Sequence, residues 1–118
     1  MKRTILMAAV LVLTRVEAAD AVTFFTPIAR AEAGATHACR AVNIGKKPVA
    51  ITVKRGDLNG VNDQTVCTSV LPGAGCPLVQ AGPAIGYCQF DVDGSRKAVR
   101  AALTVEDSTG TRVLIEAR

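Results

Sequence analysis

Four cysteines (Cys39, Cys67, Cys76 and Cys88) and a single histidine (His37) are the residues best equipped for chemistry in this chain of 118 residues. Thiolates and imidazole together can hold zinc, exchange disulfides or serve a nucleophile. The spacing argues against each. Structural zinc sites draw on closely spaced cysteine pairs, and none occurs here. Dithiol redox chemistry favours C-x-x-C, which is also missing. A blue-copper site needs two histidines, a cysteine and often an axial methionine; here there is one histidine, and Met1 and Met7 both lie at the extreme N-terminus. A Ser-His-Asp site would have to use His37, and no serine sits in a nucleophile-elbow motif. His37 is expected near a strand edge, partly solvated. Two acidic stretches offer oxygen ligands, "DLNGVND" with Asp57, Asn59, Asn62 and Asp63, and "DVDGS" with Asp91 and Asp93. Neither matches the calcium loop of an EF-hand, and Asp, Asn and Gly are ordinary turn residues. No catalytic residue, metal ligand or cofactor site is therefore expected.

The N-terminus indicates the compartment. Lys2 and Arg3 precede an unbroken apolar run from Ile5 to Leu13, and Ala19-Asp20-Ala21 follows as a small-x-small cleavage site. The run is far shorter than the roughly 20 residues a membrane-spanning helix requires. Residues 1–21 thus read as a signal peptide, with Val16-Glu17-Ala18 as a second cleavage site, and residues 22–118 as one mature domain with no membrane span. Removing Lys2, Arg3, Arg15, Glu17 and Asp20 lowers the formal charge from +4 to +3. That excess is spread along the chain with almost no aromatic interleaving, so nucleic acid is not an expected partner. An even cysteine count in an exported chain reads as disulfides, and the location as periplasmic or secreted.

Short strands separated by turn signals must position the cysteines. Val49, Ile51 and Val53 alternate with Ala50, Thr52 and Lys54, a strict period of two. Val99, Ala101, Leu103 and Val105 do the same. Further strands are expected at Val22–Phe25, Thr36–Ile44, Gln64–Val70, Cys76–Val79, Ile85–Val92 and Arg112–Glu116. Residues 56–63 read as a polar loop, Ala29–Ala35 as a loop, and Asp93-Gly94-Ser95 as a tight turn of the hairpin kind. Seven to eight strands without a convincing helix predict an antiparallel β-sandwich. With no tryptophan and 3% aromatic residues the core is thin, so covalent staples would help it. His37, Cys39, Ala41 and Asn43 share one strand face; Gly86, Cys88, Phe90 and Val92 share another, which Phe90 and Val92 mark as inward. Cys39 is thus expected to pair with Cys88. Cys67 and Cys76 flank Leu71-Pro72-Gly73-Ala74-Gly75, which turns the chain back and pairs them. Arg40 and Arg100, with Lys97 and Arg112 nearby, are expected on an outward face, where charges deter edge-to-edge aggregation.

"CRAVNIGKKPVAITVK" resembles the second and third strands of bacterial immunoglobulin-like or fibronectin-like domains, and "LPGAGC" and "GYCQFDV" resemble later strands of that plan. The chain is similar to small exported bacterial proteins of uncharacterised function with an immunoglobulin-like β-sandwich. The likeness implies a fold and brings no catalytic residues. The core tryptophan is missing, and Tyr87 adjoins Cys88 instead of standing two residues before it, as a tyrosine corner would. The expected role is non-catalytic binding or structural support toward a protein or cell-envelope partner. The alternative is a small secreted enzyme or protease inhibitor acting through its loops.

Overall fold

A computed structural model of the protein describes residues 21–118. The signal-peptide reading of residues 1–21 lies outside the described residues except for Ala21, which opens the first strand. Nine strands follow in order: β1 (Ala21–Phe25), β2 (Ala29–Ala31), β3 (Thr36–Asn43), β4 (Val49–Asp57), β5 (Gly60–Val70), β6 (Gly75–Ala81), β7 (Ala84–Asp93), β8 (Val99–Glu106) and β9 (Arg112–Glu116). One sheet runs β1-β7-β4-β5 with β2 also on β7, and the other runs β6-β3-β8-β9. Every pairing is antiparallel. The all-β sandwich is as expected, with one strand more than the sequence suggested. Among the described residues no helix is long and apolar enough to cross a membrane.

The period of two builds the core. Val49, Ile51 and Val53 of β4, Cys88, Phe90 and Val92 of β7, and Val99, Ala101 and Leu103 of β8 all point between the sheets and are buried. The additional strand is Ala29–Ala31, in the stretch read as a loop. β1 and β2 are two parts of one ribbon that runs antiparallel along β7. Pro27 has no N–H, so the ladder breaks there. Thr26 bridges the break: its N–H donates to the Cys88 carbonyl (3.0 Å) and its hydroxyl accepts from the Cys88 N–H (2.9 Å).

Two turns differ from expectation. Residues 56–63 are mostly strand: β4 continues to Asp57 and β5 starts at Gly60. Asp93-Gly94-Ser95 makes no hairpin, because β7 and β8 lie in different sheets. Instead the Ser95 hydroxyl accepts from Lys97 N–H (3.1 Å) and caps a single 3₁₀ turn, Arg96–Ala98, that carries the chain across. In the antibody-type plan the strand after the second core cysteine stays in that cysteine's sheet. Here β8 crosses to pair with β3, and β1 takes the place beside β7.

Asn43, at the end of β3, is fully buried and ties the loop between β3 and β4 to the end of β5. Its Nδ2 donates to the carbonyls of Lys47 and Val70, and its Oδ1 accepts from Gly45 N–H, all at 2.8 Å. Its backbone meets the Pro-Gly turn: Asn43 N–H donates to Ala74 O (2.9 Å) and Gly73 N–H donates to Asn43 O (2.8 Å). Gly73, at φ 86°, supplies the left-handed residue that a turn with Pro72 before it requires.

Candidate functional site

Both bridges form as the spacing predicted, and both join one sheet to the other. Cys39 on β3 bonds Cys88 on β7 with Cα atoms 5.7 Å apart, and Cys67 on β5 bonds Cys76 on β6 at 6.1 Å. No free cysteine remains among the described residues. Because β5 and β6 belong to opposite sheets, the second bridge closes the side of the sandwich instead of stapling a hairpin. Two disulfides of this kind are typical of oxidising compartments outside the cytosol.

His37 departs most from expectation. It is fully buried between the sheets, not partly solvated at an edge. The sequence reading missed its partner, Arg55, also almost completely buried. Arg55 Nε donates to His37 Nδ1 (3.3 Å), and Arg55 Nη2 donates to the carbonyls of His37 (3.3 Å) and Leu78 (3.2 Å). With Nδ1 accepting, the ring proton sits on Nε2, which donates to the Gly86 carbonyl (3.2 Å). The ring is therefore neutral, with both nitrogens engaged, and presents no lone pair to a substrate. Burial lowers the Arg55 pKa, and Asp63, whose Oδ2 lies 3.8 Å from Nη1, opposes that.

Burial also holds His37 below 6.5, and the neighbouring Arg55 charge adds to this, against backbone hydrogen bonds at Gly86 and Ala29 that raise it. The consequence for stability has a definite sign. An unfolded chain takes up the proton near pH 6.5, whereas the folded chain takes it only at lower pH. Stability is full above pH 6.5, falls as the pH drops toward the folded value, and is then fully lost for this group. Thermal unfolding followed by circular dichroism should show the melting temperature falling through that window. A His37→Gln variant should start lower and stay flat there. Asp91 and Asp107 are held below 3.8, so their contributions vanish only in stronger acid. A wild-type melting temperature that stays level as the pH is lowered below 6.5 would contradict this account of His37.

The acidic stretches serve their own turns. Asp57 Oδ1 accepts from Asn59 N–H (2.8 Å) and Oδ2 from Asn62 Nδ2 (3.2 Å), while Asp63 Oδ1 accepts from Gln64 N–H (2.8 Å). Asp91 accepts from Thr23 (3.1 Å) and Gln89 (2.9 Å) and pairs with Lys54 at 2.8 Å. Among the described residues no three His, Cys, Asp or Glu side chains converge on a point that could hold a metal ion.

Surface chemistry gathers on the outer face of the β6-β3-β8-β9 sheet. Ala102 and Thr104 form the floor of a shallow depression of about 510 Å³. Around it stand Arg40 and Val42 from β3, Arg100 and Glu106 from β8, and Arg112, Leu114 and Glu116 from β9. The register explains the arrangement: Ala102 lies opposite both Arg40 and Glu116, so long side chains flank a small one. Arg100 pairs with Glu116 (3.2 Å) and Arg112 with Glu106 (3.5 Å). Arg40 takes part in no ion pair with another described residue. The sequence placed Arg40, Arg100 and Arg112 outward, and the structure brings all three to one depression. Lys97 stands apart in the 3₁₀ turn, beside Arg96, whose guanidinium lies 4.7 Å above the Phe24 ring. Comparison of the chain with family models, with curated proteins and with solved structures gives no match.

Proposed function

We propose that the protein is a non-catalytic exported β-sandwich of the kind found in small bacterial envelope proteins, acting in the periplasm or outside the cell by binding an envelope partner. The observation that carries this reading is the arginine-rimmed depression on the β6-β3-β8-β9 face. Arginine offers a planar fork of donors suited to carboxylates, and among the described residues Arg40 has no ion-pair partner. The exposed ion pairs of Arg100 and Arg112 contribute little to stability and can be exchanged for a partner's carboxylates. Exposed Val42 and Leu114 supply apolar contact alongside. The closed state of His37 supports the non-catalytic part, since both ring nitrogens already have partners. The charge-then-apolar N-terminus and the two disulfides support export.

The test is affinity capture from an extract of the native cell envelope. The immobilised wild-type protein should retain a partner. An Arg40→Glu/Arg100→Glu variant should bind it about 100-fold more weakly, from two charge-assisted hydrogen bonds. A retained partner that is indifferent to both reversals would show that this face is not the binding surface.

A further inference from the structure

Among the described residues the sandwich has four borders, the β1–β2 ribbon, β5, β6 and β9, and three are closed to further pairing. β1 is joined to the chain end, where Phe25 and Arg118 exchange backbone hydrogen bonds at 2.8 and 2.9 Å. β6 carries Pro77, and β9 has only five residues, with Arg112 and Glu116 among them. Proline, shortness and charge are the usual ways of blunting an edge. β5 is the least blunted of the four, its irregularities confined to the two ends of its ladder with β4, between Val49/Ile51 and between Arg55/Gly56. It is 11 residues long, contains no Lys, Arg or Pro, and holds one charged residue, Asp63.

The hydrogen-bond phase of that edge can be read. Cys88 turns its backbone groups to Thr26 on the β1 side, so by the period of two Gln89 faces β4, its partner Lys54 faces β7, and Gln64, opposite Lys54, turns its backbone groups away from β4. From Gln64 to Cys67 the register with β4 is regular. The period of two therefore turns the N–H and C=O of Val66 to the same free side. Exposed apolar side chains are spaced symmetrically about this point: Val61 (49% exposed), Val66 (56%) and Leu71 (60%), five residues to each side of the centre. Val61 reaches the outer face because Asn62 is an extra residue between the Arg55–Asp63 and Gly56–Val61 pairs.

We propose that the protein pairs with a second copy of itself along β5, antiparallel, with a two-fold axis beside Val66. In this register Val66 meets Val66 of the other copy, Gln64 meets Thr68, and Val61 comes to Leu71 at each end. The 66–66 pair is of the hydrogen-bonded type, because its backbone groups point outward, and Gln64 and Thr68 flank it on either side. Asp63 comes opposite Ser69, so no like charges face each other across the strands. Gln64 exchanges the Asp63 carboxylate for a carbonyl of the second copy. The axis is perpendicular to the sheet, so both arginine-rimmed faces turn to the same side and can bind a repetitive partner bivalently.

Sedimentation equilibrium of the purified protein over a concentration series is expected to show a reversible monomer–dimer equilibrium. Val66→Lys, on an exposed face that leaves the core untouched, should abolish the dimer and keep the circular dichroism spectrum. Val66→Cys introduces the one free thiol, about 5.5 Å in Cα separation from its symmetry mate, within disulfide reach. Mild oxidation should yield a dimer whose cross-link maps to the substituted position in both copies. A wild-type protein that stays monomeric throughout, a Val66→Lys protein that still dimerises, or a Val66→Cys protein that remains unlinked would each overturn the proposal.

Discussion

Replacing Cys39 and Cys88 together by alanine is expected to cost about 4 kcal/mol of stability, the loop-closure contribution of a bridge spanning some fifty residues. Domains of this size are stable by about 5–15 kcal/mol in all, so the loss is a large fraction of the total. The location makes the loss larger. Both cysteines are completely buried beside Phe90, and deleting two sulfurs leaves a cavity in a core poor in aromatics. The Cys67–Cys76 bridge closes about ten residues and should contribute about 2.7 kcal/mol. Cys67 is only half-buried, so its removal leaves less of a packing defect. Urea unfolding of the two double variants should place the Cys39/Cys88 variant lower by at least about 1.4 kcal/mol. The reverse order would mean that the short bridge at the β5–β6 seam, not the one through the core, holds the sheets together.

Arg55→Ala is expected to cost about 3 kcal/mol, from three buried hydrogen bonds lost, one of which leaves His37 Nδ1 without a donor, and from the space vacated by a long side chain. The acceptors are His37 Nδ1 and the carbonyls of His37 and Leu78. These tie β4 of one sheet to β3 and β6 of the other, so the loss falls on the contact between sheets. Arg55→Met restores much of the volume and none of the donors, so it should recover only part of the stability. If Arg55→Met is as stable as wild type in chemical unfolding, Arg55 acts by filling space and its hydrogen bonds contribute nothing net.

The particular residues show what can be read locally. The cysteine pairing was legible because each of Cys39 and Cys88 lies in a strand whose phase is fixed by apolar neighbours. The same phase reaches Arg55, since Val49, Ile51, Val53 and Arg55 follow one another at a period of two. It also reaches His37, two residues before Cys39. A charged side chain followed by Gly-Asp resembles the start of a loop, and a lone histidine resembles a surface residue. Each is tolerated inside only because the other satisfies it, and that match depends on β3 and β4 facing each other across the core. β2 was invisible for a related reason. Ala-Arg-Ala has no strand pattern of its own and is held by pairing with β7 at Ala84–Gly86. The Asp93-Gly94 turn carries a hairpin composition, yet the choice to cross between sheets is made by the available partner for β8, which is β3. The arginine depression was half legible: the outward phase of Arg40 and Arg100 is local, whereas their convergence with Arg112 depends on strand order.

A non-reducing peptide map of the protein recovered from its native host tests the central claim, an exported sandwich locked by two bridges between its sheets. The account predicts one Cys39–Cys88 peptide pair, one Cys67–Cys76 pair, no free thiol, and an N-terminal peptide beginning at Val22 or, as the second site, Ala19. Free cysteines, a Cys39–Cys67 or Cys39–Cys76 pair, or a stable product that keeps Met1 would contradict it.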